Sequence, residues 1–330
     1  MAIDIQVQQV LNKIYTRMSE LNHPPLEQLT PGMSRYYFQE GRKFFARVPV
    51  AGVRVEDRRI SRTAPDLPIR IYSPDGRGPF PVLVYFHGGG WVLGDLDSSD
   101  DICQAIAKRS HCVVISVGYR LAPEHKYPAP VHDAFDAICW AFEHIELLHG
   151  DPMRLAVGGE SAGANLACAA ALKASEIKSP PLFCQLLITP VTHYSFNTKS
   201  YRTGGSRNLT RERMIWFWHH YLQDPAQGLE PYASPLLVKN PGNLPPALIA
   251  TAQYDPLRDE GEAYANLLRK HGVNVTYFCF AGLVHSFVHM AGNVELAKKA
   301  FEKITTAFFQ MLHMPERRGI PRRSVPSLQR

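Results

Sequence analysis

Residues 157–166 read Val-Gly-Gly-Glu-Ser-Ala-Gly-Ala-Asn-Leu, "VGGESAGANL". The run before it, "RLAVGG" (154–159), has the apolar character of a strand, and "AGANLACAAALKAS" (162–175) that of a helix. Ser161 therefore falls on a strand-to-helix joint. Two readings compete there: a seam of small residues for helix packing, or a turn that holds Ser161 out as a nucleophile. In the second reading the positions two before and two after the serine must lack bulk, because strand and helix crowd each other. Gly159 and Gly163 meet that requirement. Such a turn also aims the unpaired N–H groups of a helix N-terminus at whatever the serine attacks.

Working outward, short β-rich runs recur: "VRVEDRRI" (53–60), "LPIRIY" (67–72), "PVLVYF" (81–86), "CVVISV" (112–117), "FCQLLIT" (183–189), "PALIATA" (246–252) and "VTYFCF" (275–280). With "RLAVGG" they make eight strands. Helical stretches separate the later ones, at about 97–109, 130–149, 162–175, 258–271 and 293–313. Alternation of this kind predicts an α/β fold, a mostly parallel eight-stranded sheet flanked by helices on both faces. The first strands lack crossover helices, which predicts an antiparallel edge. Ahead of the sheet, Val7, Val10, Leu11, Ile14, Met18 and Leu21 share one face of a helix that Pro24-Pro25 ends. More than fifty residues separate "FCQLLIT" from "PALIATA", too many for a simple loop, and they include the aromatic "RERMIWFWHHYLQD" (211–224).

A chain of 330 residues with 45% hydrophobic and 20% charged residues can bury its own core. Its net charge of +6 is weighted to the tail "RRGIPRRSVPSLQR" (317–330), read as a solvated end. No folded element interleaves basic and aromatic residues as a nucleic-acid groove would, so no nucleic-acid partner is expected. The start of the chain has no secretory signature, and no apolar run approaches the roughly 18 residues of a membrane span. The six cysteines form no C-x-x-C pair and lie mostly in apolar runs, as small buried hydrophobes of a reducing compartment do. The expected location is cytoplasmic.

Chemistry enters with the company Ser161 keeps. "YFHGGGWVLGD" (85–95) places Gly88, Gly89 and Gly90 directly after a buried strand, where N–H groups can approach a ligand with no Cβ in the way. Together with the N–H of Ala162 they are candidate donors for an oxyanion. A dinucleotide site would instead open directly into a helix, and this loop does not. "PALIATA" ends in "QYDPLRDE" and "VTYFCF" in "AGLVHSF", which sets Asp255 and His285 at equivalent strand ends. The order Ser161, Asp255, His285 suits a nucleophile, an orienting acid and a general base. Asp259 is the alternative acid. His87 is assigned to shaping the glycine loop, and His219 and His220 to a helix surface or lid.

"HGGGW" (87–91), "YRLAPEHKYPAP" (119–130), "GESAGANLA" (159–167), "DPLRDEGEAYA" (255–265) and "GLVHSF" (282–287) together resemble the hormone-sensitive-lipase-like family of α/β hydrolases, which includes many bacterial carboxylesterases. The resemblance covers about residues 80–290. It implies a triad of Ser161, Asp255 and His285, with an oxyanion hole from the glycine loop and Ala162. It also implies a helical cap from residues 1–45 and 195–230 over an α/β-hydrolase core of residues 46–194 and 231–315, followed by a basic tail, 316–330. The elbow departs from the family's commoner G-D-S-A-G-G pattern at Glu160 and Ala164. The expected activity is hydrolysis of short- to medium-chain acyl esters without metal or cofactor. Alternatives are an amide, lactone or carbamate hydrolase with the same triad, or a small-molecule receptor on the same fold. The expected partner is a small-molecule ester, with no stable membrane insertion, and the sequence allows a homodimer.

Overall fold

The computed structural model describes residues 2–46, 50–61, 66–203 and 208–313. Its helices, in chain order, are α1 (Ile5–Glu20), α2 (Pro31–Arg42), α3 (Asp100–Ser110), α4 (Ala129–Glu143), α5 (Ala162–Ile177), α6 (Lys199–Thr203), α7 (Arg211–Tyr221), α8 (Arg258–Lys270) and α9 (Glu295–His313). Its strands are β1 (Val53–Ile60), β2 (Leu67–Pro74), β3 (Phe80–Phe86), β4 (Val113–Val117), β5 (Gly150–Glu160), β6 (Cys184–Ile188), β7 (Ala247–Tyr254) and β8 (Val275–Val284). They form one sheet in the order β1-β2-β4-β3-β5-β6-β7-β8. All eight expected strands are present.

The run β4-β3-β5-β6-β7-β8 is parallel throughout, while β1–β2 and β2–β4 are antiparallel. The antiparallel edge follows from the short connections, since parallel neighbours need a crossover long enough for a helix. β3, β4 and β6 are buried at every position, as strands covered on both faces must be. α4, α5 and α8 cover one face, around Val131, Leu166 and Tyr264. α3 and α9 cover the other, around Ile102 and Phe301. α4 stops at Glu143, six residues short of the 130–149 reading. His144 to His149 turn instead, and the His149 carbonyl accepts from the Phe80 N–H at 2.8 Å to start the β3–β5 pairing.

α1 begins at Asp4, whose carboxylate accepts from the N–H groups of Gln6 and Val7 at 2.8 and 3.2 Å. Val7, Val10 and Leu11 of its apolar stripe are buried against the α9 side of the sheet. α2 starts from the Thr30 cap with Pro31 in its first turn. Arg35 ties α2 down: Nε donates to the Val92 carbonyl at 2.9 Å, Nη2 to that of Ala122 at 3.0 Å, and the guanidinium grips Glu124 with two bonds of 2.7 Å. α7, in the long insertion, buries Met214, Trp216, Phe217, Trp218 and Tyr221. Trp91, just past the glycine loop, lies flat on Tyr221 at 4.1 Å and beside Trp218 at 4.6 Å. Aromatic burial thus joins the insertion to the loop before α3.

Four cysteines are buried, in line with the apolar runs that hold most of them, while Cys139 is half-buried and Cys279, on the edge strand β8, is exposed. Among the described residues no helix is long and apolar enough to cross a membrane. The basic tail at 316–330 lies outside the described residues.

Candidate active site

Ser161 joins β5 to α5 with φ +56° and ψ −119°, a conformation an L-residue adopts only under constraint. The constraint is the crowding around it. A Cβ on Gly163 would run into the backbone carbonyls of Phe86 and His87, and one on Gly159 into the backbone of Gly163 and Phe86. The Ser161 N–H donates to the Ile188 carbonyl at 2.9 Å, and its own carbonyl accepts from Asn165 and Val191. The Asn165 side chain in turn donates to the carbonyls of Val191 (3.0 Å) and Ala233 (2.8 Å). Seam and turn are therefore one object: small residues let strand and helix close up, and closure holds the serine in place.

His285, just beyond the end of β8, reaches both partners. Its Nδ1–H donates to Asp255 Oδ2 at 2.8 Å, which leaves Nε2 as the acceptor for the Ser161 hydroxyl at 3.0 Å. Asp255, after β7, is fully buried, and its other oxygen accepts from the Leu257 N–H at 2.9 Å. Burial pushes the His285 imidazole toward its neutral form. The charge and hydrogen bond of Asp255, with a further contribution from Glu160, outweigh burial and raise its pKa above the ordinary value. Asp259 does not join this set. It pairs with Arg258 at 2.7 Å and accepts from the Ser200 N–H at 2.7 Å, in the first turn of α8.

Gly88, Gly89 and Gly90 line the same cavity as Ser161 and His285. Gly89 (φ +120°) and Gly90 (φ +60°) hold conformations that favour glycine, and side chains there would strike the Leu93 carbonyl and the Phe217 ring. Ala162 opens α5, so its N–H has no partner within the helix. His87 is buried beneath the loop, stacked on Tyr119 at 4.3 Å, with Nδ1–H donating to the Gly88 carbonyl at 2.8 Å. His219 is exposed and His220 half-exposed on α7.

The sequence reading missed His289. Its Nε2–H donates to Glu160 Oε2 at 2.7 Å, and its ring stacks on Phe45 at 6.0 Å. Glu160 is buried. Desolvation would raise its carboxyl, but the charge and hydrogen bond of His289, with His285 nearby, bring it down to about 2. An ionised carboxylate therefore stands directly before the serine, without touching its hydroxyl. His289 lies four residues after His285, on the short 3-10 turn Phe287–Met290, and only that spacing could have flagged it. Asn208 also escaped notice; its amide donates to the His285 carbonyl at 2.6 Å.

The cavity has a volume of about 520 Å³. α1 contributes Leu11, Ile14 and Met18, α2 contributes Phe38, and α7 contributes Met214 and Phe217, so most of its wall is apolar. An apolar chain can occupy it while a carbonyl lies against the glycine loop.

A model of the α/β-hydrolase fold matches residues 83–289. The carboxylic ester hydrolase LipN of Mycobacterium tuberculosis is 43% identical over 249 residues, covering 73% of this chain and 66% of that protein. The carboxylesterase NlhH of the same organism is 38% identical over 269 residues, covering 79% and 84%. A hyperthermophilic esterase from the archaeon Pyrobaculum calidifontis superposes with a TM-score of 0.87 at 35% identity, covering 94% of this chain and 99% of that one.

Proposed function

The chain belongs to the α/β-hydrolase family, on its hormone-sensitive-lipase-like carboxylesterase branch, and from that premise we propose that it hydrolyses short- to medium-chain acyl esters through Ser161, His285 and Asp255. The observation that carries this reading is the unbroken hydrogen-bond line from Asp255 through His285 to Ser161, ending in an apolar cavity.

In the first half-reaction Ser161 Oγ attacks the ester carbonyl carbon while His285 Nε2 takes its proton. The carbonyl oxygen gathers the negative charge, and the N–H groups of the glycine loop and Ala162 stabilise it. The tetrahedral adduct collapses, the carbon–oxygen bond to the alcohol breaks, and His285 returns the proton to the leaving oxygen. In the second half-reaction His285 deprotonates a water, which attacks the acyl-serine; the acid leaves and Ser161 recovers its proton. Asp255 holds the imidazole tautomer throughout and stabilises its charged form. Residues 1–45 and 195–230 act as a cap in this reading, since α1, α2 and α7 supply the apolar wall. Cytoplasmic location belongs to the same proposal and rests on six cysteines that form no disulfide.

Ser161→Ala should lower kcat for p-nitrophenyl butyrate by about a millionfold and abolish covalent labelling by an organophosphate. Labelling of that variant at the wild-type rate would sink the assignment of the nucleophile.

A further inference from the structure

The charges around the cavity are unbalanced. Arg42 and Arg213 line it, and Glu160 is the single carboxylate in the lining, buried and already paired with His289. Arg213 is half-buried in the first turn of α7, where one guanidinium nitrogen donates to the Asn208 carbonyl at 2.6 Å. Among the described residues no carboxylate lies within ion-pair distance of it. Arg35, Arg70, Arg120 and Arg258 by contrast each hold one. A guanidinium has five N–H donors in a planar fork that matches a carboxylate. Partial burial of a cation without a counter-charge costs stability, unless a ligand supplies the charge.

Arg213 is also in the right place. Phe217, four residues further along α7, packs on Gly90 of the glycine loop, and four residues is about 6 Å of helix. The guanidinium therefore stands a side chain's length or two from where an ester carbonyl would be held. α7 packs against the turn at Leu26–Gln28, which brings Arg213 near His23, itself held edge-on by Tyr37 at 4.2 Å. Burial first, and then the charge of Arg213, keep His23 below its ordinary pKa. His23 is thus neutral at pH 7, and the fixed cation at this end is Arg213.

We infer that the preferred substrates are esters bearing a carboxylate, such as half-esters of short dicarboxylic acids, and that Arg213 is the residue that selects them. The inference rests on the esterase reading above and adds the chemical class of the substrate. Apolar side chains contact the methylenes between the ester and the acid, while the Arg213 fork takes the carboxylate with two parallel hydrogen bonds.

The test compares mono-p-nitrophenyl adipate, whose chain is too long for efficient attack by its own carboxylate, with its neutral methyl ester. A second pair, 4-acetoxybenzoate and methyl 4-acetoxybenzoate, puts the charge on the alcohol side. In the wild-type chain the anionic member of one pair should have the higher kcat/KM, mainly through KM, and the preference should shrink as salt rises. Arg213→Gln should lower that anionic-to-neutral ratio by about tenfold to a hundredfold, and Arg213→Lys should recover part of it. Wild-type turnover with no anionic preference in either pair, or a ratio that Arg213→Gln leaves unmoved, overturns the inference while the esterase reading stands. Failure of the wild-type chain to turn over any of the four esters overturns both.

Discussion

At the scale of single residues, the base His285 sits between two carboxylates with different duties. Asp255 touches the ring and fixes its tautomer. Glu160 touches His289 instead, yet its charge still adds to the stabilisation of a protonated His285. The sign of the consequence is definite. His285 must be neutral to accept the serine proton, so activity is full above its raised pKa and lost as pH falls through it. The acid limb of kcat/KM should therefore centre above about 6.5, the ordinary imidazole value. Glu160→Gln removes one of the charges that raise it while keeping a hydrogen-bond acceptor for His289, so the limb should move to lower pH. A pH profile for the variant that superimposes on the wild type would show that the Glu160 charge does not reach His285.

At the scale of elements, the joint of β3, β5 and α5 explains why the elbow tolerates one departure from the commoner pattern. Position 163 faces the carbonyls of Phe86 and His87, so Gly163→Ala forces backbone apart and should cost about 3 kcal/mol in urea unfolding. Ala164 lies in the first turn of α5, buried without a positive φ. Ala164→Gly should cost about 1–2 kcal/mol, through helix propensity and one lost buried methyl. Equal costs at the two positions would contradict the close approach at 163. The same joint was legible in the sequence because each requirement has a local signature: apolar runs for buried strands, glycines where backbones meet, and Asp255 and His285 at strand ends. The Glu160–His289 pair had none. It depends on a 3-10 turn after β8 folding back toward the end of β5, and no local pattern encodes that long-range contact. The end of α4 was misread because its apolar pattern runs on through Ile145 and Leu148, which are buried in turns rather than in helix.

At the scale of the whole molecule, the first helix and the turn that follows the last strand line one cavity. α1 uses a single apolar stripe for two purposes: Val7 and Val10 bury against the core, and Ile14 and Met18, one and two turns on, line the wall above Ser161. The stripe was readable from its spacing, but what it covers was not, because nothing within residues 1–21 refers to residue 161. Acyl-chain preference should therefore respond to a helix well over a hundred residues away in sequence. Each methylene of an acyl chain that gains burial contributes about 0.8 kcal/mol, or about fourfold in kcat/KM. Met18→Trp adds an indole to the wall; if it takes the room of two methylenes, the ratio of octanoate to acetate turnover should fall by about fifteenfold. Acetate turnover should hold, because the serine, the base and the glycine loop lie on the sheet and not on α1. An unchanged octanoate-to-acetate ratio, in a variant that folds and hydrolyses acetate, would show that acyl chains extend elsewhere and that α1 only stabilises the core.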